Sequence, residues 1–141
     1  MICNVSSAIK IFNNKEVKIS DNKVESFEKD LVIDYANISV APNVYEYKYS
    51  NEKFNKIIVA MGPDGTIRVG LDVSKRCYKK NGCFEVRNDT LVCSNCGTVL
   101  ALAQLGIEWD GCFPIVVNYE FGEEGIIITK GEIDRLSKYA R

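Results

Sequence analysis

Histidine is absent from all 141 residues. That absence excludes imidazole acid–base catalysis, Ser-His-Asp triads, Cys-His nucleophile pairs and every metal site that needs an imidazole ligand. Charge of one sign is also missing: 18 lysines and arginines face 19 aspartates and glutamates, for a formal net charge of −1. Nothing therefore provides the electrostatic footprint of a nucleic-acid binder. The lysines, among them Lys15, Lys48, Lys79 and Lys138, are scattered as on a solvated surface. No apolar run reaches the roughly eighteen residues that a helix needs to cross a bilayer. The opening MICNVSSAIK lacks the apolar stretch of a signal peptide. With only three prolines and ten glycines, this is not a loop-rich disulfide miniprotein.

What is present is enough chain for one domain with a real core, 46 % hydrophobic and 26 % charged. Residues 1–29 form a polar N-terminal segment in which IKIFNNKEVKI alternates enough for a strand or two. DLVIDYANIS (30–39) reads as a strand running into a turn, and NVYEYKYS (43–50) as an alternating strand. FNKIIVAMG (54–62) is a buried strand by its β-branched run. Pro63-Asp64-Gly65 is a turn, because proline presets φ and glycine accepts positive φ. TIRVGLDV (66–73) then alternates, which predicts a hairpin over 54–73. A second hairpin is expected over 83–93, turning at Asn88-Asp89, and a third over 115–129, turning at Gly122–Gly125. Residues 98–109 are a short strand or a helical turn. Ile133 and Leu136 sit at helical spacing, so a short terminal helix is expected within 131–141. The whole predicts a mostly β fold, a small antiparallel barrel or sandwich with a short C-terminal helix, occupying residues 30–141.

Six cysteines stand out: Cys3, Cys77, Cys83, Cys93, Cys96 and Cys112. LVCSNCGTVL carries the pair Cys93 and Cys96 at a spacing that lets two thiolates from one turn face one metal. Gly97 directly after it permits the positive-φ turn this needs. Such knuckles recur in zinc ribbons and iron–sulfur sites. The expected partner pair is damaged, since Ser74-Lys-Arg-Cys77 begins with serine, a poor ligand at neutral pH. Cys83 or Cys112 could complete a four-thiolate set. Three readings of the cysteines stay open at this point: buried thiols that serve as small hydrophobes, disulfides of an oxidising compartment, and a bound metal or cluster. A thioredoxin-like dithiol is disfavoured, because nothing suggests the βαβ setting it requires. The carboxylates Asp64, Asp72, Asp89 and Asp110 are read as turn residues, and no enzyme class finds support.

Taken in order, DGTIRVGLDVSKRCY, LVCSNCG and GCFP resemble the C-terminal domain of the FtrD-like membrane iron–sulfur-containing proteins. That family's pattern is D-G-x-x-R-x-A-x-D-x-C-x-x-C-Y, then V-C-x-x-C-G-x-x-F, then G-G-C-N-P. The resemblance covers roughly residues 30–141. It matches Cys77, Cys93, Cys96 and Cys112 to family cysteines, as cofactor or metal ligands. Ser74 stands where the family has its first cysteine, Leu100 replaces the phenylalanine, and Cys83 lies outside the pattern as a substitute ligand. A weaker, fold-level similarity is to Rieske domains, with both Rieske histidines replaced by cysteine.

The family resemblance implies electron transfer or metal handling in a membrane iron-transport or respiratory assembly. The cofactor would be an iron–sulfur cluster or a thiolate-bound metal, zinc included. The partner would be a membrane protein or redox partner, and the domain would be membrane-associated and extracytoplasmic, with an anchor preceding the present chain. If no anchor precedes it, a cytosolic protein is the better reading. An all-thiolate [2Fe–2S] centre would be low-potential, since plant-type ferredoxins lie at about −400 mV and histidine-ligated Rieske centres at about −150 to +300 mV. The competing class is a non-catalytic module in which zinc or disulfides pin the cysteine loops.

Overall fold

The computed structural model describes residues 9–12, 15–18, 21–25 and 29–141, with side chains from Lys29 onward. Cys3 and most of the polar segment 1–29 lie outside the described residues. What is described of that segment is the backbone of three strands, β1 (Ile9–Phe12), β2 (Lys15–Lys18) and β3 (Asp21–Glu25).

The 54–73 hairpin forms as expected. β6 (Phe54–Met61) and β7 (Ile67–Ser74) pair antiparallel, with Met61 opposite Ile67. The turn between them is closed by the Gly62 N–H donating to the Thr66 carbonyl at 2.7 Å, with Gly65 at φ 80°. The Asp64 carboxylate accepts from both the Thr66 N–H and its hydroxyl, so this aspartate is a turn residue as read. Asp72 is not. It lies within β7, is 1 % exposed and takes a two-pronged ion pair from Arg141 at 2.9 and 2.6 Å. A buried carboxylate needs such a partner, and the arginine that supplies it is 69 residues away in sequence.

β6 and β7 sit in the middle of a five-stranded sheet ordered β11-β7-β6-β5-β3, where β5 is Asn43–Lys48 and β11 is Pro114–Val116. Its pairings are antiparallel except β3 with β5, which is parallel. Period-2 alternation sends Ile57, Val59, Val69, Leu71 and Val73 to one face. There they meet Ile33 of β4 (Leu31–Asp34), Ile126 and Ile128 of β13 (Gly125–Ile128), and Ile133 and Leu136 of helix α1 (Lys130–Leu136). The other face of the sheet carries Val44, Ile58 and Ala60 into a second core. That core is completed by Phe84 and Val86 of β8 (Phe84–Arg87), Leu91 of β9 (Thr90–Cys93), Leu100 of β10 (Val99–Ala101), Leu102, Leu105 and three cysteines. A strand covered on both faces loses its polar alternation, which is why β6 is buried from Asn55 through Ala60.

Two smaller sheets form these covers: β12-β13-β4 on the first core, with β12 at Glu120–Phe121, and β10-β9-β8 on the second. Among the described residues no sheet closes into a barrel, so the fold is a small layered sandwich with one short helix near its C-terminus. The hairpin at 83–93 turns at Asn88, with φ 55°, as expected. The third hairpin is shorter than its sequence suggests. Of residues 114–121 only Glu120–Phe121 pairs with β13, while β11 leaves to pair with β7. Covering the otherwise open edge of β7 is the physical reason. Residues 98–109 resolve into β10 and a 3-10 turn at Leu102–Gln104.

Candidate metal centre

Three stretches of chain converge at one end of the second core. The first leaves β7 through Ser74 and turns at Cys77. The second is the β9–β10 connection holding Cys93 and Cys96. The third is the loop before β11 holding Cys112. The Sγ atoms of Cys77, Cys93, Cys96 and Cys112 all lie within 4.8 Å of one another. Cys77, Cys93 and Cys112 are 1–3 % exposed, whereas Cys96 faces solvent. All four are free thiols. Cys83 stands outside this group and is disulfide-bonded.

Local hydrogen bonds explain how the chain presents these sulfurs. In the knuckle, the Gly97 N–H donates to the Cys93 carbonyl and the Cys93 N–H donates to the Thr98 carbonyl, both at 2.9 Å. Gly97 takes φ 75°, the left-handed conformation anticipated from its place after Cys96. The Cys77 turn is closed by N–H groups of Lys80 and Gly82 donating to the Cys77 carbonyl at 3.0 Å. Ser74, standing where the spacing anticipates a cysteine, accepts the Cys77 N–H at 3.0 Å, and its hydroxyl lies 3.3 Å from the Cys112 sulfur. It braces two of the four cysteines without adding a thiolate.

Two contributors escaped the sequence reading. Asn95, between the knuckle cysteines, donates its side-chain amide to the Cys77 sulfur at 3.4 Å. Gly82 lets the two loops touch, because a Cβ there would fall 2.7 Å from both Asn95 Cβ and Cys77 Cβ. Neither carries a spacing signal. Their roles come from the meeting of segments far apart in sequence.

Four thiolates without imidazole or carboxylate are a soft donor set, suited to zinc, iron and copper(I) rather than to magnesium or calcium. A family model described as "Membrane iron-sulfur containing protein FtrD-like" matches residues 41–139 and includes all four of these cysteines. The chain belongs to the FtrD-like family. No curated protein and no solved structure matches it. Among the described residues, no helix of this FtrD-like chain is long and apolar enough to cross a membrane.

The four thiols of the FtrD-like centre are electrostatically unequal. Cys96 accepts a hydrogen bond from the Thr98 hydroxyl, 3.0 Å away, and with the Thr98 backbone N–H this lowers its pKa to about 6. Burial pushes the Cys93 and Cys112 thiols above the ordinary range. The neighbouring sulfurs push Cys112 up further, because a second thiolate beside a first is unfavourable without a cation between them. Cys96 is therefore placed to be a thiolate unaided, whereas Cys93 and Cys112 need a cation to become thiolates.

Proposed function

We propose that this FtrD-like chain is a thiolate metal- or iron–sulfur-binding module that transfers electrons or handles metal for a membrane-bound iron-transport or respiratory assembly. The observation that carries this reading is the convergence of four free sulfurs within 4.8 Å from three separate chain segments. Residues 30–141 are the functional unit, with Cys77, Cys93, Cys96 and Cys112 as ligands. The partner is a membrane protein or a redox carrier that docks on it. The family description supports the membrane association. The extracytoplasmic location is part of this reading on the family resemblance alone. Solvent access at Cys96 gives the centre an edge through which electrons or an ion can pass.

A second reading has its own support. Three of the sulfurs are packed into the second core, so an ion there would also pin the loops that carry them, as structural zinc does. Metal analysis and a visible spectrum of anaerobically purified protein separate the two. Bound iron with thiolate-to-iron absorption is expected, and Cys93→Ser with Cys96→Ser should remove both. Colourless protein holding zinc would favour the pinning role. Protein that neither retains nor takes up a thiophilic metal would end both readings.

A further inference from the structure

Resting on that reading, we infer that the centre holds a single ion in a four-thiolate tetrahedron, without inorganic sulfide. The argument is one of distances. A metal–sulfur bond of about 2.3 Å gives a tetrahedron with edges of about 3.8 Å. The Cys77 and Cys112 sulfurs are 3.8 Å apart, and no pair of the four exceeds 4.8 Å. Four points so confined share a centre within about 2.9 Å of each, and contraction by about 0.6 Å brings every sulfur to bonding distance. Clusters ask for the opposite movement. In a [2Fe–2S] centre the bridged irons hold thiolates on opposite irons more than about 5 Å apart. In a [4Fe–4S] cube each thiolate caps its own iron, and all the sulfur–sulfur distances exceed about 6 Å.

The surroundings oppose such spreading. Cys77, Cys93 and Cys112 are packed in a core with Phe84, Leu91 and Leu105, none of which is more than 1 % exposed. Close-packed interiors do not yield by ångströms without repacking. Ser74 occupies the flank of Cys112 and holds the Cys77 backbone, so the position of a further thiolate is filled by a hydroxyl that ties two ligands together. The absence of room for a Cβ at Gly82 fixes the Cys77 loop against the knuckle from the other side. The reaction is an exchange of protons for one cation: a divalent ion enters, four metal–sulfur bonds form, and the thiols that were protonated release their protons to solvent. No change of oxidation state is involved.

The test uses the whole chain, treated anaerobically with ferrous ion alone in one arm and with ferrous ion plus sulfide in the other. Iron and acid-labile sulfide are counted per chain after desalting. One iron and no labile sulfide in both arms is expected, with the oxidised protein giving the paramagnetic signal of an isolated high-spin ferric ion. Two irons with two sulfides, or four with four, would overturn the single-ion centre while leaving the metal-binding function intact. Uptake of one zinc or cobalt but no iron would uphold the single ion and remove electron transfer. No uptake of any of the three would overturn both. Cys96→Ser, at the exposed sulfur, is the variant least able to disturb folding. It should weaken cobalt binding by about tenfold or more and reduce the thiolate-to-cobalt absorption. Unchanged affinity and absorption would remove Cys96 from the tetrahedron and overturn the four-thiolate centre.

Discussion

At the scale of single residues, the centre is built from one exposed and three buried sulfurs, and chemistry should tell them apart. In metal-free, thiol-reduced protein at pH 7, Cys96 is mainly thiolate because the Thr98 hydrogen bond stabilises its charge. It is expected to be the first of the four free cysteines alkylated by iodoacetamide, as peptide mapping would show. The sign follows from the lowered value: the rate should fall as pH drops through about 6, rather than through the 8.5 or so of an ordinary thiol. Thr98→Ala should return the midpoint toward that ordinary range. Equal labelling of Cys96 and Cys112 at neutral pH would contradict the assigned inequality. The Cys93/Cys96 knuckle was legible in the sequence, because the C-x-x-C spacing and its glycine impose a recognisable turn, whereas Cys77 and Cys112 were singled out by the family resemblance, the spacing alone leaving Cys83 and Cys112 both open. The roles of Asn95 and Gly82 were not legible. Asn95 reaches a sulfur eighteen residues away, and nothing local to either residue marks the contact.

At the scale of elements, α1 shows how a seven-residue helix is made stable enough to close a core. Isolated helices of this length do not persist in water. Here Thr129 caps the N-terminus by accepting the Glu132 N–H at 3.2 Å, and Asp30 accepts the Lys130 N–H at 2.8 Å. The Glu132 carboxylate accepts from the Asn118 N–H and pairs with Arg135, tying the helix to the strand connection before it. Thr129→Ala should cost about 1 kcal/mol of unfolding free energy in urea titrations. For Glu132, burial by itself would raise the pKa, but the hydrogen bonds from Arg135 and the Asn118 N–H outweigh it and leave the pKa lowered. A carboxylate with a lowered folded pKa stabilises the fold above its unfolded pKa. That contribution is lost as pH falls through the folded value. The urea midpoint should therefore decline below about pH 4.5, and Glu132→Gln should flatten that part of the profile. An unchanged acid limb in Glu132→Gln would show that the stability is titrated elsewhere.

The elements also mark where pattern reading stops. The 54–73 and 83–93 hairpins were legible because alternation and turn chemistry are local. The partition of residues 114–128 between two sheets was not. Which edge a three-residue strand joins depends on which edge is open, and that is decided by the assembled fold. The same holds for Asp72, whose turn-like composition hid a buried strand position whose charge is met by Arg141.

At the scale of the whole molecule, the central sheet divides the interior into two cores, and only the second contains sulfurs of the quartet, the buried Cys77, Cys93 and Cys112. Removing the proposed ion should accordingly loosen one side. An ion joining Cys77 to Cys93 and Cys96 to Cys112 closes two loops of about sixteen residues, each of a size for which cross-linking stabilises by about 3 kcal/mol in chain-entropy terms. Hydrogen exchange of metal-free against metal-loaded protein should show the amides of β8, β9 and β10 losing protection first, while those of β4, β13 and α1 change little. Uniform loss across both cores would mean that the two sides unfold as one unit.

Burial of β6 on both faces has a consequence for the order of events in synthesis. FNKIIVAM is, before it is covered, an apolar, β-prone segment of the kind that pairs indiscriminately with other strands. Apart from β4, the elements that cover it are encoded later: β8 begins at Phe84, and α1 begins only at Lys130. At about 5–20 residues per second, the nascent strand waits about 1–5 s for β8 to begin and about 3–14 s for α1. During that interval β5, made just before it, is the main neighbour it can pair with. Crowding of ribosomes on one message therefore sets a hazard that no property of the finished fold reveals.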